Sequence, residues 1–193
     1  MVFDLVSFIL FLRHSFGLIF TPYATMRKIS IETKWSELLW ILIVTILYFL
    51  ITNAVRFWVI GLMGAVCIYL ASIIFLSLLP AVGTYTERLK RIVATWSYTL
   101  LPTFIWFYST LLFYFIIPPP RTTSLLGKSF SIFYIAFSGS LLVWKLILMY
   151  LSIRFSLRVH LYRVIYYLLL YFAVSIPLWI LLYKWGVSRI PFV

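Results

Sequence analysis

The sequence predicts an all-α, polytopic membrane protein: five transmembrane helices preceded by a short interfacial N-terminal helical segment. Three observations lead there. Of 193 residues, 65% are hydrophobic and only 10% are charged, against roughly 25% charged and about 45–50% apolar in a soluble domain. Aromatic side chains abound, with 8 Trp, 14 Tyr and 18 Phe, which excludes a disordered chain. The charges fall singly or in threes between long apolar runs. No basic patch of the kind that grips nucleic acid forms, so no nucleic-acid partner is expected.

Uncharged runs cover 38–55, 57–86, 92–120, 129–153 (broken only by Lys145) and 164–183. Each can supply the roughly 20 residues that cross a hydrocarbon core as helix. They are too continuous for the alternation of a barrel. Spans are expected at about 36–55, 57–80, 92–117, 130–153 and 164–184, a five-helix bundle over 35–186 with a short tail at 187–193. The first connection, 52–56, reads as a tight reversal making spans one and two antiparallel neighbours. The stretch 118–128 opens with three prolines, which cannot continue a helix.

Residues 1–34 read differently. The uncharged run 5–12 is too short to span and is bracketed by Asp4, Arg13 and His14. Asp4, Ser7, His14 and Ser15 fall on one side of a helical wheel, as in a helix lying in the headgroup plane. Thr21-Pro22 marks the start of a second short helix, the hydroxyl capping and Pro tolerated at the first position.

Orientation follows from the 16 Lys+Arg set against 4 Asp+Glu. On the side of the N-terminus lie Arg13, Arg27, Lys28, Lys34, Arg88, Lys90, Arg91, Arg154, Arg158 and Arg163; opposite lie Arg56, Arg121, Lys128, Lys184 and Arg189. The bias predicts a cytoplasmic N-terminus and an external C-terminus. The ten residues on the first side form a basic rim, suited to anionic headgroups or an acidic partner.

Little chemistry is visible. Asp4, Glu32, Glu37 and Glu87 sit at expected interfaces, which argues against the intramembrane carboxylates of proton-coupled transport. His14 and His160 are expected to meet headgroups or carbonyls, and Cys67 to be a small buried hydrophobe. No metal ligand set, nucleophile elbow or phosphate-binding loop is present, so no cofactor, metal or enzymatic activity is expected. The small-xxx-small spacings Ala136/Ser140 and Gly61/Ala65 predict close helix approach. Pro102 and Pro177 interrupt spans, either as hinge or pocket or only as packing. Lys145 is the one charge inside a run, beside Trp144 and nine residues before Arg154, about 13 Å at helical rise. It either snorkels toward that surface or faces the bundle with a tyrosine or helix-end carbonyl as partner.

Three segments together resemble the Yip1 domain family, over most of the chain from about residue 21 to 184. Pro22-Tyr23-Ala24-Thr25-Met26-Arg27-Lys28-Ile29 is similar to the family's Pro-x-x-Thr-Phe-Arg-x-Ile segment, with Met26 in place of Phe. Arg88-Leu89-Lys90-Arg91, followed by Tyr98 and Pro102, is similar to the basic lead-in to a Tyr-Ser-x-x-Pro third span. Trp144 opens a stretch that ends in a basic turn at Arg154 and Arg158, where the family's usual Gly is missing. The eukaryotic Asp-Leu-Tyr-Gly-Pro signature is absent, so the resemblance is to prokaryotic-type members. It implies a scaffold or adaptor in membrane organisation, binding an unidentified cytoplasmic or intramembrane protein, possible as a homo- or hetero-oligomer, in a prokaryotic cell membrane. The residues themselves leave two alternatives: a small transporter, channel or lipid-moving protein, and an accessory subunit of a larger membrane complex.

Overall fold

The computed structural model describes residues 5–32, 35–56, 60–80, 84–116 and 125–185. Asp4, Lys34, Gly83, the three prolines, Arg121, Arg189 and the tail at 187–193 lie outside them. The described residues form eight helices and no strand: α1 (Leu5–Phe20), α2 (Pro22–Glu32), α3 (Trp35–Arg56), α4 (Ile60–Leu78), α5 (Tyr85–Tyr98), α6 (Leu101–Ile116), α7 (Leu125–Leu157) and α8 (Leu161–Lys184). Gly127–Leu157 and Leu161–Lys184 are long and apolar enough to cross a membrane, and the pair α2–α3 adds a third if it counts as one bent span. This is a helical membrane protein. Length and composition carry two or three crossings among the described residues, not the five expected.

Two elements depart from the expected layout. The expected span 92–117 is broken: α5 stops at Tyr98, and α6 starts at Leu101. Pro102 is the physical cause, since it has no N–H to give and its ring clashes with the carbonyl four residues back. The backbone tightens there, Thr99 N donating to Trp96 O at 3.0 Å and Leu100 N to Ser97 O at 3.2 Å. Pro102 then occupies the first turn of α6, where a proline is tolerated. The second element is the 52–56 segment, which lies inside α3 rather than forming a reversal. The main packing of α3 is on α1, α5 and α6, and that of α4 on α5 and α8; α3 and α4 meet through Phe49 and Ala65.

The core has three parts. α5 is the hub, burying Ile92 and everything from Ala94 to Tyr98. One cluster joins Phe11, Leu18, Met26, Ile29, Tyr98 and Leu148, seating the α1–α2 hairpin on the bundle. A second joins Leu76, Ile92, Trp96, Ile153, Val164 and Tyr171 across α4, α5, α7 and α8. Tyr48, Phe49, Ala65 and Phe107 form the third. Ser152 Oγ to Thr95 Oγ1 (2.8 Å) pins α7 to α5 between them.

The N-terminal hairpin is inverted relative to expectation. α1 turns its polar face inward: Ser7 and His14 are buried, while Val6, Ile9, Phe16, Ile19 and Phe20 point out. Arg13 is exposed on the same outward face, between Ile9 and Phe16. The α1–α2 turn closes where a Cβ on Gly17 would stand 2.6 Å from Thr25 Oγ1. The Thr21 hydroxyl, expected as a cap, donates back to Gly17 O at 3.2 Å. Close approach thus occurs at Gly17, whereas Ala136 and Ser140 on α7 face outward and Gly139 between them has open space. Cys67 also points outward, on the exposed face of α4 with Val66, Leu70 and Ile74.

Candidate functional site

The basic residues converge. The end of α4, the start of α5, the end of α7 and the start of α8 meet at one end of the bundle, where α2 lies across α5 and α7. Tyr167 OH reaches Pro80 O at 3.3 Å, and an Arg88 guanidinium nitrogen donates to Ser77 O, closing the α4–α5 corner. Arg154 lies over the Tyr23 ring at 5.3 Å and donates to Tyr150 OH at 3.3 Å. α7 stops at Leu157 because Arg158 adopts φ 53, the left-handed turn that normally selects Gly after a helix. This is the turn where the resemblance leads one to expect that glycine.

Convergence does not make these residues equivalent. Arg91 is buried, and burial first, then the positive charge of Arg158, lowers its pKa from the ordinary guanidinium range, with Glu87 acting oppositely. Arg88 is tied to α4, and Lys28 is paired with Glu32 at 3.6 Å. Arg27, Lys90, Arg158 and Arg163 are the exposed ones. They are left on the surface of this end, while Arg88 ties α5 to α4 through Ser77 O and Arg91 is buried.

A second polar group was not legible. Glu37, expected at an interface, is 1% exposed. Its Oε2 accepts from His14 Nδ1 at 2.9 Å and from Tyr98 OH at 3.1 Å. His14 therefore meets a carboxylate inside the protein, not headgroups, and its Nε2 is buried without a partner among the described residues. His160 is exposed and immediately precedes α8. Periodicity on α1 gave a hint by grouping Ser7 with His14, but the partner lies 23 residues on.

Lys145 faces the bundle. Its Nζ donates to Thr103 Oγ1 at 2.8 Å, a hydroxyl on another helix. Thr103 follows Pro102 at the start of α6, so the broken helix carries the hydroxyl to the lysine. Pro102, Thr103 and Lys145 line one cavity together; Pro177 stays within α8 and points outward, away from them. Pro22 starts α2, Thr25 is buried beneath it, and Trp144 packs half-buried against the first core cluster. Among the described residues no three His, Cys, Asp or Glu gather as a metal would require.

No family model matches the chain, no curated protein is similar to it, and no solved structure matches it.

Proposed function

We propose that this chain is a non-enzymatic, prokaryotic-type Yip1-like membrane protein that acts as a scaffold or adaptor, presenting its basic end to an acidic protein partner or anionic lipid. In this reading the bundle crosses the cell membrane five times, α5 and α6 together making the third crossing. The basic end and N-terminus are then cytoplasmic and the C-terminus external. The observation that supports the reading is that Arg27, Lys90, Arg158 and Arg163 are all exposed on α2, α5, the α7–α8 turn and the first turn of α8. Each cation close to an anionic surface contributes about 1 kcal/mol.

The test places the protein in zwitterionic nanodiscs and measures capture of anionic vesicles and of proteins from the same membranes. Neutralising Arg27, Lys90 and Arg158 should weaken capture roughly fivefold per residue at low salt. Capture indifferent to all three substitutions overturns the proposal. A transporter or lipid-moving protein is the second reading, favoured by Lys145 and Pro102 sharing a cavity. Liposome flux no greater than in empty vesicles, or unaltered by Lys145→Ala, counts against it.

A further inference from the structure

Between α3 and α4, beside the cluster in which Phe49 and Ala65 join them, lies a cavity of about 330 Å³. Its size is at the small end of ligand pockets, which run from about 300 to 1,000 Å³. Apolar side chains form most of its wall, including Ile41, Phe49, Ile68, Phe104 and Phe107. Leu42 and Val66, on the facing sides of α3 and α4, line it and are 53% and 43% exposed. Since outward faces of a membrane bundle meet lipid, the mouth opens sideways into hydrocarbon rather than toward water.

The charged part of the cavity lies at the helix break. Thr99 and Thr103 line it, with Lys145 behind. A second cavity of about 310 Å³ abuts the same lysine from the α6–α7 side. Lys145 and Thr103 line both cavities, and Lys145 is the charged side chain in either lining among the described residues. The start of α6 directs its positive dipole end to the same place. On the opposite wall the hydroxyl pairs Tyr69–Ser97 (2.5 Å) and Ser72–Tyr171 (3.0 Å) satisfy one another, leaving that wall without net charge.

We propose that this cavity binds a single-chain amphiphile with a singly charged anionic head, of the fatty-carboxylate class. The head would meet Lys145 and Thr103 at the α5–α6 break, and the chain would run out between α3 and α4 through the Leu42–Val66 mouth. One ammonium and one hydroxyl match a monoanion, and the volume admits one chain rather than two. Nothing in this site draws on the basic end, so the proposal stands apart from the adaptor reading.

Radiolabelled laurate and dodecanol, titrated separately against the full chain in zwitterionic nanodiscs, test it. Laurate should bind saturably and more tightly than dodecanol. Lys145→Met should weaken laurate by about tenfold or more, as for loss of a charge-assisted hydrogen bond, while leaving dodecanol unchanged. Should that variant not fold, Val66→Trp on the exposed face of α4 blocks the mouth and should abolish laurate uptake without touching the lysine. Laurate binding no greater than to empty nanodiscs overturns the proposal. So does binding that survives the substitutions that fold, or dodecanol bound as tightly as laurate.

Discussion

Replacing Glu37 by Leu removes the acceptor of both His14 Nδ1 (2.9 Å) and Tyr98 OH (3.1 Å) at once. Glu37 and His14 are 1% and 3% exposed, so water cannot take over either role. Each buried donor left without its acceptor costs about 1–3 kcal/mol. At about 2–4 °C per kcal/mol for a chain of this size, the two together should lower the melting temperature by roughly 4–24 °C. The assay is thermal unfolding of the detergent-purified protein, read by tryptophan fluorescence and loss of monodispersity. A double-mutant cycle isolates the contact. His14→Leu alone leaves the carboxylate buried with Tyr98, whereas the double variant leaves neither group stranded and should recover at least about 1.5 kcal/mol of the summed losses. Tyr98→Phe, which removes one of two donors, should cost less than Glu37→Leu. If the two single losses add within about 0.5 kcal/mol, His14 and Glu37 do not share an interaction, and the hairpin is held by apolar packing alone.

Three other outcomes follow from the packing of the helices. Gly17→Ala should destabilise the α1–α2 hairpin by about 1–3 kcal/mol through overpacking against Thr25; adding Thr25→Ala, which removes the clashing atoms, should restore most of the loss in the same thermal assay. Arg158→Gly should raise stability by about 1 kcal/mol by relieving a left-handed residue at φ 53, while weakening anionic-vesicle capture, because the strain and the exposed charge reside in one residue. Fluorescent labels on single cysteines at Ile9 and Phe16, in a Cys67→Ser background, should be quenched by acyl-chain quenchers rather than by aqueous iodide. Iodide quenching at both positions would return α1 to the headgroup plane.

How much was legible depended on the range of the interaction. All-helical architecture follows from uncharged runs, because a backbone in lipid must satisfy itself locally, and α8 runs Leu161–Lys184 against an expected 164–184. The start of α2 at Pro22 was also legible, since a proline's geometry is set by its own ring. Local rules overreached at Pro102, which interrupts the run in the sequence but whose break is completed by what α6 then presents: Thr103, brought to Lys145 on another helix. The polarity of α1 shows the same limit from the other side. Ser7 and His14 lie on one helical face in any reading, but only a partner decides whether that face meets water or protein. Ser36 and Glu37 supply the partner, Ser7 Oγ donating to Ser36 Oγ at 2.9 Å. A carboxylate at the start of α3 is therefore informative only once the hairpin is folded over it. A buried acid site can thus escape a search for acids within apolar runs whenever a preceding helix folds back and encloses the next helix's first turn.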